Sequence, residues 1–277
     1  MSSLKSRLLV SVVGVPLLLW VVLGAPSVVM LIALGVLAAI GGAELQKCVG
    51  GAELQKCVGS TERKDMELIS AVCAAVTVCW CAWQPECLAV LFALAAIIIF
   101  GFAIVKGGEI KFGQIMAALF GSIAIGYGFA AFLRLESAGL HRAYLLLPFI
   151  LSFACDTFAY FVGCTVGKHK LAPKVSPKKS VEGSIGGLAG NVLCGLLFAF
   201  VMNRWFNGTI AYGTMLVLAL VCGVVAQIGD LSFSLIKREF GVKDYGKLFL
   251  AHGGVLDRFD SVLFVAPVIE IVLNLMK

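Results

Sequence analysis

Long apolar runs, separated by short polar segments, make up most of this chain. Most runs are about 20 residues long, which is enough for a helix to cross the hydrocarbon core of a bilayer, whereas for the second, shorter run a re-entrant segment is an alternative. The runs cover about 8–24, 26–41, 67–84, 87–105, 113–133, 143–165, 184–202, 209–229 and 255–275. The pattern therefore predicts an all-α integral membrane protein, a polytopic bundle of about nine transmembrane helices with polar loops at its surfaces.

The overall composition supports this prediction. Of the 277 residues, 60% are hydrophobic and 14% are charged, which excludes an ordinary soluble domain. The net charge of +6 is modest, so we expect no nucleic acid as a partner. The ten cysteines lie mostly within apolar runs, and we interpret them as small apolar side chains rather than metal ligands. We interpret the first run as a retained helix rather than a signal peptide.

The positive charges predict how the bundle is oriented. If the N-terminus lies in the cytoplasm, most of the 22 Lys and Arg residues fall in cytoplasmic loops. The positive-inside rule therefore favours an N-terminus inside and a C-terminus outside. We expect a multi-pass protein of the inner (plasma) membrane. Both strongly charged loops, and the site they would form, then face the cytoplasm. We expect residues 1–140 to be a transmembrane scaffold and residues 141–277 to be the catalytic region.

A nine-residue repeat follows the second apolar run. Gly-Ala-Glu-Leu-Gln-Lys-Cys-Val-Gly occurs at 42–50 and again, identically, at 51–59. Nine residues make two and a half helical turns, so two copies in one helix would turn their apolar faces in opposite directions. We therefore expect one copy to be surplus, either looped out or extending the helix. Glu44 and Glu53 both remain candidates to serve a site.

The densest charge lies between Gln227 and Asp260. Asp230 ends one apolar run, and Asp257 and Asp260 begin the next. Carboxylates at the edge of a bilayer are costly and are functional candidates. The segment between them contains basic side chains, a histidine and a glycine pair, namely Lys237, Arg238, Lys243, Lys247, His252 and Gly253-Gly254. Two acids that flank a basic, glycine-containing loop suit a divalent cation that holds a polyphosphate.

A second polar cluster begins inside the sixth run. Asp156, Tyr160 and Gly163 are spaced i, i+4, i+7 and so share one face of a helix. The following segment, Ser176-Pro-Lys-Lys-Ser180, offers hydroxyl and ammonium groups to phosphate oxygens. The next residues, from Glu182 on, start a helix whose free N–H groups attract anions.

Both clusters resemble the signature of the phosphatidate cytidylyltransferases, or CDP-diacylglycerol synthases. The matching motifs are Asp156-x-x-Ala-Tyr160-x-x-Gly163, Ser176-Pro-x-Lys179-Ser180-x-Glu182-Gly183, Ser234-x-x-Lys237-Arg238-x4-Lys243-Asp244-x-Gly246 and His252-Gly-Gly-x-x-Asp257-Arg258-x-Asp260. They span about 150–267. The chain departs from the family pattern at Tyr245, where a small residue is expected, and at Leu250-Ala251, where Pro-Gly is expected.

The resemblance implies a metal-dependent nucleotidyltransferase of phospholipid biosynthesis. It would convert CTP and phosphatidate, the latter held in the lipid bilayer, to CDP-diacylglycerol and diphosphate. Mg²⁺ is the implied metal, and a two-metal site, a monovalent cation and a homodimer are left open. A lipid or polyprenol kinase of the same superfamily is an alternative. A membrane transporter is another, although its usual inverted repeat is not evident in this sequence.

The resemblance and the charge pattern together assign roles to individual residues. The expected metal ligands are Asp230 and Asp257. The expected catalytic residues are Asp230, Asp257, Lys237, Arg238 and His252. The expected substrate-binding residues are Asp156, Ser176, Lys178, Lys179, Ser180, Glu182, Lys243, Asp244, Arg258 and Asp260. We expect the charged segments 106–111 and 134–142 to be solvated turns and Glu270 to be interfacial.

The predicted orientation can be tested by cysteine accessibility or reporter fusions. Residues 166–182 and 231–254 should react from the cytoplasmic side and residue 277 from the outside, because this arrangement keeps most basic residues inside. Labelling of the two charged segments from opposite faces of the membrane would contradict a shared cytoplasmic site.

Overall fold

The computed structural model describes residues 12–54, 60–107, 109–206, 208, 210–246, 248 and 253–275. Side chains are described for these residues except at 51–54 and 60–63. The described chain is mostly helical. Its helices are α1 (Val12–Gly24), α2 (Ser27–Leu54), α3 (Ser60–Cys81), α4 (Leu88–Val105), α5 (Phe112–Phe120), α6 (Gly126–Ser137), α7 (Leu147–Val166), α8 (Val181–Trp205), α9 (Tyr212–Glu239) and α10 (Leu256–Leu275).

The helix lengths confirm a membrane protein of the all-α class. Six helical segments of the described chain are long and apolar enough to cross a bilayer: Ser27–Gly50, Pro85–Val105, Phe112–Ser137, Arg142–Val166, Val181–Trp205 and Tyr212–Glu239. The segment Phe112–Ser137 joins α5 to α6 through a π-helical turn. Helix α1 is shorter, and α3 and α10 carry at least three charged residues in every 18-residue stretch. The length and composition of the described helices therefore support six membrane spans, and the predicted number of nine is not confirmed.

Helix α2 is longer than the apolar run that predicted it. It continues through the first copy of the repeat and ends at Leu54. The first copy is packed rather than looped out, since Leu45 and Val49 are buried and Ser70 Oγ donates to Gly42 O at 3.1 Å. Glu, Leu, Gln and Lys are good helix formers, which explains why the helix does not stop with the apolar run. Residues 55–59 of the second copy lie outside the described chain.

The chain packs as two compact units. Unit 1 comprises the described residues within 1–134 and 237–259, and unit 2 those within 135–236 and 260–277. These units are defined by packing, whereas the predicted division into 1–140 and 141–277 was defined by role. The predicted division into scaffold and catalytic regions stays a prediction.

Arg134 in unit 1 corrects the expectation of a solvated turn. Its side chain is buried, and Nη1 donates to Cys81 O at 2.9 Å. The guanidinium also lies over the ring of Tyr127, 4.2 Å from the centroid. A buried guanidinium needs such partners because desolvation of an unpaired charge is costly. Arg134 therefore ties α6 to the end of α3.

Unit 2 is built around closely packed α7 and α8. A Cβ added at Gly187 would lie 2.8 Å from Cys155 O, and one at Gly190 would overlap the ring of Phe158. Small residues at such positions let membrane helices approach closely. Asn191 on the same helix donates from Nδ2 to Ala219 O at 2.8 Å, which connects α8 to α9.

The side chain of Glu270 in unit 2, which is expected at the membrane interface, is covered by protein. It is 7% exposed and lies in α10 among buried neighbours such as Ile269 and Leu273. The acid sits near the end of an apolar run, but helix packing covers it there.

The connection between α7 and α8, which the sequence predicts to be a loop, contains two short strands. Strands β1 (Lys170–Ala172) and β2 (Ser176–Ser180) form an antiparallel hairpin in which Lys170 faces Ser180 and Ala172 faces Ser176. Ser180 then caps α8, because its Oγ accepts a hydrogen bond from Gly183 N at 3.1 Å. The motif Ser176–Ser180 is therefore an ordered strand that leads directly into a helix.

The close contact of α7 and α8 predicts how Gly187→Ala will affect stability. The added methyl group meets the backbone oxygen of Cys155, which cannot rotate away, so overpacking should cost about 1–3 kcal/mol and lower the thermal midpoint. Gly213→Ala is the matched control, because a Cβ at Gly213 in α9 has no atom within 4 Å. Thermal unfolding of both variants in detergent measures the difference. Equal midpoints would contradict this account of the α7–α8 contact.

Candidate active site

A polar pocket of about 610 Å³ opens within unit 2. Residues from α7, the hairpin, α8 and α9 line it: Asp156, Ala159, Tyr160, Gly163, Cys164, Lys170, Leu171, Ser176, Lys178, Lys179, Ser180, Gly183, Ser184, Gln227 and Asp230. The lining thus combines small and apolar residues with carboxylate, ammonium, hydroxyl and amide groups.

Helix α7 contributes the face that its spacing predicted. Asp156, Tyr160 and Gly163 all line the pocket. The glycine is needed because a Cβ there would lie 3.1 Å from Ser180 Oγ, the group that caps α8. The carboxylate of Asp156 is thus held on a rigid helix beside the hairpin.

The hairpin is held to the start of α8 by Glu182. The Glu182 carboxylate accepts hydrogen bonds from Lys168 N at 3.1 Å and His169 N at 3.2 Å. The ring nitrogen Nδ1 of His169 lies 2.6 Å from Glu182 Oε1. These contacts close the base of the hairpin, which places Ser176, Lys178 and Lys179 at the pocket. Glu182 therefore fixes the phosphate-binding candidates in place rather than lying among them.

Helix α9 supplies the opposite wall with Gln227 and Asp230. Gln227 Nε2 donates to Ser184 O at 3.1 Å, and the Ser184 hydroxyl donates to Gln227 Oε1. Asp230 forms an ion pair with Lys179 Nζ and accepts a hydrogen bond from Ser234 Oγ at 3.3 Å. The ion pair balances the charge of both groups at the pocket, where each side chain is about one-quarter exposed or less.

The donor set of this pocket suits Mg²⁺ bound together with phosphates. Mg²⁺ usually takes one or two carboxylates, keeps several waters and completes its shell with substrate phosphate oxygens. Asp156 and Asp230 provide two carboxylates at one pocket. No group of three His, Cys, Asp or Glu side chains within the described ranges could hold a metal alone. A metal bound here would therefore take its remaining ligands from substrate phosphates and water.

The second charged motif forms a separate polar cluster in unit 1. Lys237 Nζ lies 2.8 Å from Asp257 Oδ1, and the two side chains are 11% and 4% exposed. The other carboxylate oxygen, Oδ2, accepts hydrogen bonds from Tyr245 N at 2.8 Å and Gly254 N at 2.9 Å. Asp257 thus connects the end of α9 to both ends of the following loop.

Glu44 of α2 lies in the same cluster. Its carboxylate accepts hydrogen bonds from Val255 N at 3.1 Å and Leu256 N at 3.0 Å, at the start of α10. A Cβ at either Gly246 or Gly254 would overlap Glu44 Oε1. The carboxylate is therefore enclosed by the glycines of both loop motifs.

Comparison with known proteins identifies the family. The profile of the cytidylyltransferase family matches residues 5–276. The chain belongs to this family. Among its relatives are the phosphatidate cytidylyltransferases of Staphylococcus saprophyticus, Staphylococcus haemolyticus and Staphylococcus aureus strain COL, which are 38%, 37% and 36% identical over 176 residues. The aligned part covers 64% of this chain and spans about 65% of the length of each relative.

The structure brings together some of the residues that were predicted for a cytidylyltransferase site. Those that line the pocket of unit 2 are Asp156, Ser176, Lys178, Lys179, Ser180 and Asp230. Lys237 and Asp257 pair in unit 1, while the side chains of Arg238, Lys243, Asp244 and Arg258 are exposed. Asp260 Oδ1 accepts a hydrogen bond from Ser261 N at 2.8 Å. His252 and Lys247 lie outside the described residues, and the roles of all these residues stay predictions.

The sequence assigned no definite role to Gln227, which lines the pocket of unit 2, or to Glu44, which lies in the polar cluster of unit 1. Gln227 lies three residues before Asp230, so helical spacing alone could have placed it on the same face. Glu44 could not be separated from Glu53, since the two have identical neighbours in the repeat. The hydrogen bonds from Val255 N and Leu256 N are what place Glu44 in the cluster.

Proposed function

We propose that this protein transfers the cytidylyl group of CTP to phosphatidate, forming CDP-diacylglycerol and diphosphate. The proposal rests above all on the pocket of unit 2, where two carboxylates and the ion-paired Lys179 meet hydroxyl groups. Family membership and the names of the relatives support the same reaction.

The hairpin and the start of α8 suit the triphosphate of CTP. The ammonium groups of Lys178 and Lys179 can donate to phosphate oxygens, as can the hydroxyl of Ser176. Because the hairpin leads into the N-terminus of α8, the helix dipole adds attraction for an anion. Tyr160, which is largely exposed, also lines this pocket.

The reaction itself needs little covalent help from the protein. A phosphate oxygen of phosphatidate attacks the α-phosphorus of CTP, and the bond from that phosphorus to the oxygen bridging the α- and β-phosphates breaks. The attacking oxygen is already ionised, so no general base is required. The main barrier is repulsion between two anions, which Lys178 and Lys179 reduce by neutralising charge on the triphosphate.

Asp156 and Asp230 are the proposed ligands of Mg²⁺, which would neutralise charge on the phosphates when bound. The ammonium group of Lys179 is the cation that pairs with Asp230 in the structure. When substrate binds, this group can donate hydrogen bonds to a phosphate instead. Both oxygens of Asp257 already accept hydrogen bonds in unit 1, so a metal ligand role there would require Lys237 to move. A second metal, a monovalent cation and a homodimer remain open parts of the proposal.

The proposed setting is the inner membrane, with nine spans, the N-terminus inside and the site facing the cytoplasm. Each predicted span coincides with a helical segment of the described chain, including α1, α3 and α10. Large apolar side chains on these three helices are exposed, for example Trp20, Trp80 and Leu275, as expected for surfaces that face lipid. A lipid substrate that stays in the bilayer and a water-soluble nucleotide can meet at such an interface.

The reaction can be identified from its products. Purified protein with labelled CTP, phosphatidate and Mg²⁺ should release diphosphate and form a labelled lipid, because the α-phosphate is transferred. A lipid kinase would instead release CDP and leave the cytidine label in solution. Chelation by EDTA should abolish turnover, and added Mg²⁺ should restore it. Release of CDP without a labelled lipid would contradict the proposal.

Asp230→Asn should lower turnover by about a hundredfold or more, since it removes a carboxylate charge from a metal site that has few ligands. The protein should remain folded, because the amide keeps the size of the side chain. The matched control is Asp65→Asn on α3, where Asp65 forms a surface ion pair with Lys106 at 3.4 Å. Steady-state rates at saturating CTP measure the effect. Turnover of Asp230→Asn within a few-fold of the wild type would remove Asp230 from the metal site.

A further inference from the structure

We propose that Glu44, from the first copy of the repeat, is a positioning residue that fixes the loop between α9 and Asp257 at the start of α10, and that Glu53 has no such role. The inference uses the proposed cytidylyl transfer only as one of its readouts. All contacts involved lie within unit 1.

Two carboxylates share three consecutive backbone N–H groups at the start of α10. Gly254 N donates to Asp257 Oδ2, while Val255 N and Leu256 N donate to the two oxygens of Glu44. The first N–H groups of a helix have no partner within the helix itself. Glu44 is 6% exposed, so water cannot readily replace its carboxylate there. Loss of this carboxylate would leave two buried donors unsatisfied.

The glycines of both motifs explain how Glu44 reaches these donors. A side chain at Gly246 or Gly254 would overlap Glu44 Oε1. Neither glycine is among those of the described chain with positive φ, so backbone conformation does not exclude alanine there. Gly253 differs, since its φ is +85°. The absence of side chains at 246 and 254 is therefore explained by the carboxylate that occupies the space.

Within unit 1, Glu44 acts on Asp257 and Lys237, two residues that the family motifs predict to be catalytic. The turn that Glu44 holds also supplies Gly254 N to Asp257, whose other oxygen pairs with Lys237 at 2.8 Å. When the turn loosens, Asp257 loses a donor and the loop after α9 loses its attachment to α10. Glu44 itself would contact neither CTP nor lipid, so its loss should act on the arrangement of the loop.

The repeat provides an internal control. Glu53 has the same neighbours in sequence over nine residues as Glu44. Glu44→Ala and Glu53→Ala therefore make the same change in identical local sequences, and the first removes the acceptor of Val255 N and Leu256 N. A third variant, Glu44→Gln, keeps the size of the side chain and one carbonyl acceptor.

Turnover is the first readout. Glu44→Ala should lower kcat by at least about tenfold, because the loosened turn would displace Asp257 and Lys237, which the family motifs predict to be catalytic. The KM for CTP should change by less than about threefold, since the pocket proposed for CTP includes no residue that Glu44 contacts. Glu44→Gln should retain more turnover than Glu44→Ala, and Glu53→Ala should match the wild type.

Limited proteolysis gives a readout that does not depend on activity. Lys243 in the loop and Lys174 in the hairpin of unit 2 are both exposed to trypsin. Glu44→Ala should accelerate cleavage after Lys243 several-fold, because the loop is no longer held, while cleavage after Lys174 stays at the wild-type rate. Mass spectrometry of the fragments separates the two sites.

A double-variant cycle tests the contact directly. Gly254→Ala should accelerate the same cleavage, because its methyl group displaces the Glu44 carboxylate. If that contact is the cause, Gly254→Ala should add little further effect in the Glu44→Ala background.

Four results would overturn the inference, and the first three concern the variants compared with one another or with the wild type. They are wild-type kcat and wild-type cleavage in Glu44→Ala, equal effects of Glu44→Ala and Glu53→Ala, and additive effects in the double variant. Faster cleavage at both lysines in Glu44→Ala would also overturn it, since the defect would then be general. If the wild-type protein does not transfer cytidylyl groups, the proposed function fails, and proteolysis and the cycle still decide the role of Glu44.

Discussion

A charged group that is buried in this mostly apolar protein needs a partner of opposite charge or hydrogen-bond donors. Both polar clusters are organised by this requirement. In unit 2, Lys179 neutralises Asp230 at the pocket. In unit 1, Lys237 neutralises Asp257, and backbone N–H groups satisfy Glu44. An unpaired charge in such surroundings would cost several kcal/mol. The same contacts therefore stabilise each unit and hold its reactive groups at defined positions.

The close packing of α7 and α8 also fixes the position of the hairpin. Gly183, one turn before Gly187 on the face that meets α7, donates its N–H to Ser180, the last residue of the strand. Because the strand ends where the helix begins, Lys179 cannot shift along the pocket without disturbing the α8 cap. A segment that is fixed in this way would lose little conformational freedom on binding phosphate, the role proposed for it, and this would favour well-oriented binding.

Local sequence patterns predicted the helices and one face of the pocket, since both follow from helical periodicity. They could not predict the hairpin, because a short strand that contains Pro177 and two lysines shows no hydrophobic alternation. Burial of Arg134 and Glu270 was also missed, since a charge near the end of an apolar run has the same pattern whether water or another helix covers it. The contact between Glu44 and Leu256 spans 212 residues, and nothing in either segment specifies it.

Tyr245 shows why a departure from the family pattern need not disturb the loop. The contact that matters at this position is made by its backbone N–H, which donates to Asp257 Oδ2, and any residue except proline has that donor. The side chain that replaces the expected small residue is 5% exposed and lies with its ring 5.3 Å from Lys237 Nζ. A ring face near an ammonium group is favourable, so the larger residue adds a contact to the Lys237–Asp257 pair. The loop therefore tolerates a change of side chain at 245, whereas at 246 the Glu44 carboxylate leaves no room for one.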